Sequence, residues 1–198
     1  MTYRDLFSPA LPAPAPTMPG CLVLGDAYAG CEYSSGGVYR YRLWRLWDAA
    51  KRLAVFVMLN PSTASHETSD PTMRRCEGFA RAPGFGGFVI VNLWAERSTD
   101  PDRLLEIGED HVGPANDLAI ESTVRRADVG IVIAAWGRHQ VTRIDAHRVA
   151  RVLEIVRAHR DMHVLRLCGP MKDTPEHPLY LPGDLRPVLW KSQVWSRP

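Results

Sequence analysis

No apolar run in this 198-residue chain approaches the roughly 20 residues that a membrane-spanning helix requires. The amino terminus also lacks the basic and apolar blocks of a targeting segment. No membrane role is expected, and the composition fits a cytoplasmic protein. Cysteine is sparse. Cys21, Cys31, Cys76 and Cys168 form no C-x-x-C pair, which fits reduced thiols and matches none of the usual zinc or iron–sulfur spacings. Neither a metal nor any other cofactor is expected.

Charge of one sign is lacking too. A formal net charge of +2 predicts no general electrostatic grip on nucleic acid, leaving only local clusters to supply one. The chain has no G-x-x-x-x-G-K-[ST] phosphate loop and no G-x-G-x-x-G fingerprint, so the common nucleotide-binding versions of an α/β fold are unsupported. It has no G-x-S-x-G elbow and no H-E-x-x-H, which argues against a serine-triad hydrolase and against a zinc hydrolase.

What is present is enough apolar material, 45% of residues, for one well-buried domain. Residues 8–19, SPALPAPAPTMP, alternate proline with small residues and cannot build a helix or a central strand. Residues 1–20 are therefore expected to be a flexible leader and residues 21–198 a single α/β domain. Short apolar runs suited to buried strands occur at Leu53–Leu59, Phe88–Leu93, Val129–Ala135 and Met162–Cys168. Between them fall helical patterns at 70–82, 114–127 and about 145–160, with a short helical turn at 102–105. This order predicts a three-layer α/β/α sandwich around a mostly parallel sheet of about four to five strands.

Tyr39–Trp47, YRYRLWRLW, alternates aromatic or apolar residues with arginine, the pattern of a half-basic strand at a sheet edge. The sharper alternative makes Arg40 and Arg42 part of a basic, aromatic surface that follows a phosphate backbone.

In open parallel sheets ligands bind beyond the carboxyl ends of the strands. Four polar corners are expected there: Asn60-Pro61-Ser62-Thr63; Asn92 with Glu96 and Arg97; Trp136-Gly137-Arg138-His139; and the segment 171–181 containing His177. Turn chemistry alone accounts for Asn60-Pro61, and helix capping alone for Asp70-Pro71. His177 in its proline-rich loop could equally make a purely structural hydrogen bond.

Two resemblances bear on these corners. YRYRLWRLWD, MLNPSTA, DPTMRRCEGFA, GFVIVNLWAERSTDP, VGPAND, AAWG and HPLYLP, in that order over about residues 31–182, resemble a bacterial and phage family known only as domain of unknown function 1643. More distantly, Met58-Leu59-Asn60-Pro61-Ser62 and His177-Pro178-Leu179-Tyr180-Leu181 are similar to the two motifs of the uracil-DNA glycosylase superfamily, and Trp136-Gly137 to a further feature of it. That likeness implies a uracil-DNA-glycosylase-like fold and metal-independent attack of water on an N-glycosidic bond. It also implies roles for particular residues. Asn60 would position the water, and His177 would stabilise the departing base. Pro61, Ser62, Asn92 and Trp136 would line the substrate site, and Leu179 or Tyr180 would fill the gap left by a flipped base. Arg74, Arg75 or Arg138 would hold phosphates. Asp70 is an alternative carboxylate for activating water.

Ser62 replaces the superfamily's glycine, and the serine of H-P-S-P-L is absent. The substrate base is therefore open. The expected partner is nucleic acid, DNA foremost, or a free modified nucleotide. The alternatives to a glycosylase are a hydrolase of a free modified nucleoside or nucleotide, and a non-catalytic module that binds nucleic acid or protein through residues 39–47.

Overall fold

The computed structural model describes residues 22–24, 27–62 and 70–191. The expected leader, residues 1–20, lies outside them. In chain order the elements are β1 (Leu22–Leu24), β2 (Ala27–Tyr33), β3 (Arg40–Leu46), β4 (Leu53–Met58), α1 (Pro71–Arg81), β5 (Gly87–Asn92), α2 (Asn116–Val124), β6 (Val129–Ala134), α3 (Val141–Ile144), α4 (Ala146–Arg157), β7 (Met162–Val164), β8 (Leu167–Cys168), β9 (Thr174–Pro175) and β10 (Val188–Leu189). Short 3-10 turns cover Pro101–Leu105 and Pro178–Tyr180.

Eight strands form one sheet in the order β1-β2-β3-β5-β4-β6-β7-β10. Its centre, β5-β4-β6-β7, is parallel, and antiparallel strands flank that centre on both sides. Strands β4 and β5 are buried along their whole length, which explains why they read as unbroken apolar runs rather than alternating ones. Alternate side chains serve the two faces. Ala54, Phe56, Met58, Phe88, Ile90 and Ile133 pack with Met73, Cys76 and Phe79 of α1. On the other face Val55, Val57, Val89 and Val132 meet Ile120 of α2 and Val149, Val152 and Val156 of α4. The parallel centre is thus covered by helices on both faces, as expected for a three-layer arrangement.

Three sequence expectations need correction. The sheet holds eight strands rather than four or five: the very short β1 and β10 and the small-residue strand β2 carry little apolar signal. The run Met162–Cys168 is not one strand: β7 ends at Val164, and Leu167–Cys168 pairs with Thr174–Pro175 in a separate ladder. The arginine-rich segment is not an edge. Strand β3 lies inside the sheet, paired with β2 on one side and β5 on the other.

Helix α1 begins where the sequence says it should. The Asp70 carboxylate accepts a hydrogen bond from the Met73 amide at 2.6 Å, and Pro71 occupies the first helical position, where a missing N–H costs nothing. This capping sets α1 down at the carboxyl end of β4.

Candidate active site

Strands β4 and β6 are parallel neighbours with Val57 opposite Ala134, so Asn60 and Gly137 each lie three residues beyond a paired position, at the same end of the sheet. Asn60 is half-buried. Its amide nitrogen donates to the carbonyls of Ser98, at 3.0 Å, and Pro61, at 3.4 Å. Both neighbours are acceptors, which fixes the amide orientation: the nitrogen is committed, and Oδ1 remains as the acceptor. The Ser98 amide in turn donates to the Pro61 carbonyl at 2.9 Å, locking the corner that carries Asn60. Pro61 is buried and Ser62 half-buried behind it.

Gly137 brings the last segment to this edge. Its φ of +81° favours glycine, and a Cβ there would lie 3.2 Å from the Cβ of His177. The Gly137 amide donates to the Pro175 carbonyl at 3.1 Å, holding the incoming chain beside β6. From the other side, Arg75 of α1 clamps the same segment by donating to the Pro178 and Leu181 carbonyls. His177 is therefore fixed between the end of β6 and α1.

The ring of His177 is tuned by this setting. Nδ1 accepts from the Leu179 amide at 3.3 Å, so in the neutral imidazole the proton sits on Nε2, which has no hydrogen-bond partner among the described residues. Burial pushes the His177 pKa below its ordinary 6.5, and the Asp70 carboxylate opposes the shift without reversing it. At neutral pH the ring is an uncharged N–H donor that feels Asp70. Tyr180, largely exposed, stands with its ring centroid 6.0 Å from that of His177. Leu179 is half-buried on the same turn. Asn92 is buried at the end of β5, in register with Met58. One sheet edge thus gathers Asn60, Asp70, Asn92, Gly137 and His177.

Other expected site residues have different employment. Trp136 is buried in the core, packed edge-on against Trp190 at 5.7 Å. Arg42 donates to the Ala119 carbonyl and the Ser122 hydroxyl of α2 and pairs with Glu32 at 2.7 Å. Arg40 is buried within the sheet. Tyr41 and Trp44 are buried as well, so the strip 39–47 offers no open basic and aromatic face. Arg75 is spent on the carbonyls of 178–181, while Arg74 and Arg138 remain exposed at this end of the molecule.

Sequence reasoning missed several supports. Asn116, fully buried, donates to the Asn92 and Leu93 carbonyls, and Arg148 donates to the same Leu93 carbonyl while pairing with Asp117. Glu96, His111 and Arg103 form a buried-to-surface ion cluster. Glu96 receives hydrogen bonds from His111 Nδ1 and, at 3.0 Å, from Arg103. Glu96, Glu109 and His111 lie close enough to share a cation, but Arg103 already binds both carboxylates, Glu109 at 2.8 Å, which makes the cluster a self-neutralised brace. The signals for Asn116 were an amide in the first turn of α2 and its place in the VGPAND motif. Of the charge cluster only Glu96 was singled out, at a polar corner; His111 lies 15 positions further along the chain.

No curated protein and no solved structure shows significant similarity to the chain. The family model described as protein of unknown function (DUF1643) matches residues 40–179, and the chain belongs to that family.

Proposed function

We propose that the protein hydrolyses the N-glycosidic bond of a modified or unusual nucleobase at the edge built by Asn60, Asp70 and His177. The observation that carries this reading is the setting of His177: a half-buried imidazole whose Nδ1 accepts from the Leu179 amide, leaving Nε2 as the position for an N–H donor. Such a donor, held in place before reaction, stabilises negative charge as it develops on a departing base. The electron pair of the broken bond leaves with the base. Asn60 Oδ1 accepts a hydrogen bond from the attacking water, whose proton passes to the Asp70 carboxylate as the new C–O bond forms. The resemblance of residues 58–62 and 177–181 to the glycosylase motifs supports the same division of labour.

Among possible substrates, a free nucleotide is favoured over duplex DNA by one observation. Arg40, Arg42 and Arg75, which would have followed a phosphate backbone, are buried or hold the protein's own structure together. Duplex binding ordinarily needs an open basic face.

The test is hydrolysis in ¹⁸O-labelled water, using oligonucleotides and nucleoside monophosphates that carry uracil, hypoxanthine or hypermodified pyrimidines. The expected products are free base without label and sugar carrying one labelled oxygen. Label in released phosphate, with the glycosidic bond intact, would assign a phosphatase instead.

A further inference from the structure

Directly after Gly137 the chain enters a second, smaller hollow. Arg138, Gln140, Thr142, Arg143, Pro170 and Thr174 line a cavity of about 240 Å³. Arg138 is one residue from the glycine that packs on His177, and Thr174 and Pro175 lie on the strand that leads into His177. The hollow therefore adjoins the candidate active site through two separate stretches of chain.

Its arginines differ from several others of the molecule. Arg42, Arg103, Arg148 and Arg166 each pair with a carboxylate. Among the described residues, the guanidinium groups of Arg138 and Arg143 make neither a hydrogen bond nor an ion pair. Glu176, the acid whose pKa Arg138 helps to lower, is already held by Arg166 at 2.7 Å. Asp173 accepts the Thr174 hydroxyl proton, and Thr142 donates its own to the His139 carbonyl. Both hydroxyl protons are thus committed, and the Gln140 amide donates to Asp102 at 3.5 Å, so the donors left facing the hollow are the guanidinium forks. Arg138 feels the Glu176 carboxylate but does not pair with it, and two like charges on one small cavity favour an anion between them.

We infer that this hollow binds the terminal phosphate of a nucleoside monophosphate whose base lies against His177. As an anion site the inference stands on the two arginines; as part of a substrate site it rests on the glycosidic reading above. A monoester carries about −1.5 to −2 charge at pH 7, which matches two guanidinium groups better than the single charge of a backbone diester. The volume is below the roughly 300 Å³ at which pockets begin to enclose whole small molecules, so it suits one end of a ligand.

Calorimetric titration tests this with three probes: inorganic phosphate, uridine 5′-monophosphate and uridine. Phosphate and the monophosphate are expected to bind the wild-type chain, and uridine to bind at least tenfold more weakly than its monophosphate. Arg143→Gln and Arg138→Gln are each expected to weaken phosphate binding about tenfold, the effect of losing one charge-assisted contact. Both side chains are exposed, so the variants should fold, and circular dichroism verifies it. Absence of phosphate binding, or binding that survives both arginine substitutions, overturns the proposal. An unphosphorylated oligonucleotide that binds as tightly as the monophosphate and loses affinity in both variants would overturn the monoester assignment in favour of a strand-tracking site. Phosphate binding without base release from any substrate would sink the glycosidic reading and leave the anion site standing; base release with no phosphate binding would do the reverse.

Discussion

His177 and His111 are two imidazoles driven in opposite directions by their surroundings. Burial holds the His177 pKa below 6.5, with Asp70 partly countering it. Asp70→Asn keeps a competent helix cap, because Asn and Asp cap equally well, but removes the opposing charge. The His177 pKa should then fall further, as read by NMR titration of its ring protons; an unchanged or raised value would contradict the electrostatic link. At His111 burial also lowers the pKa, but the Glu96 carboxylate and the Glu106 carbonyl more than reverse it, so the folded value lies above 6.5. Its stabilising contribution is fully present below pH 6.5 and is lost as pH rises through the raised folded value. Glu96 is held below 4.5 by His111 and Arg103 despite burial, so its contribution is present above pH 4.5 and is lost as pH falls through the depressed value. The Tm difference between wild type and His111→Asn should therefore be widest between about pH 4.5 and 6.5 and shrink on the alkaline side. A gap that keeps widening above neutrality would contradict the pairing.

Among the elements, α1 does two things for the site: its cap places Asp70, and its Arg75 holds the turn that carries His177. Asp70→Ala should cost about 0.5–2 kcal/mol of stability in urea unfolding, the usual range for a lost cap. Arg75→Ala should leave α1 intact yet raise amide exchange across residues 177–181, measured by mass spectrometry; unaltered exchange there would show that the clamp is dispensable. The cap was legible from Asp70-Pro71 because its partners lie within three residues. The clamp was not, since Arg75 meets carbonyls more than 100 positions away. The same distance explains the misreading of β3. Its arginines looked like solvent-facing groups, yet Arg42 finds its acceptor at Ala119, 77 residues on. Apolar runs identified β4, β5 and β6 well because strands buried on both faces leave little room for polar residues. Strands β8 and β9, two residues each, have no such signature.

At the scale of the whole molecule, charge is distributed to hold the fold together more than to attract a polyanion. Net charge is +2, and most of the arginines that sequence alone assigned to nucleic acid are spent internally. Binding of a short oligonucleotide should accordingly weaken with salt with a log–log slope no steeper than about −2, far from the slope of a protein that neutralises six to ten phosphates. A steep slope would favour nucleic acid over a free nucleotide as the substrate. The parallel centre of the sheet brings Asn60 and Gly137 to one edge, as strand order predicts, whereas the approach of His177 depends on the packing of its loop against Gly137. The arginine-lined hollow beside it was not, because Arg143 and Thr174 approach only when the chain has folded.

The most direct measurement is release of free base, quantified by mass spectrometry, by wild type, Asn60→Ala and His177→Ala across the same panel of monophosphates and oligonucleotides. Release by the wild type, with a loss of about 100-fold or more in each variant, is the expected result for a lost transition-state contact. Release that persists undiminished in both variants, or no release from any substrate, would contradict a glycosidic site at this edge.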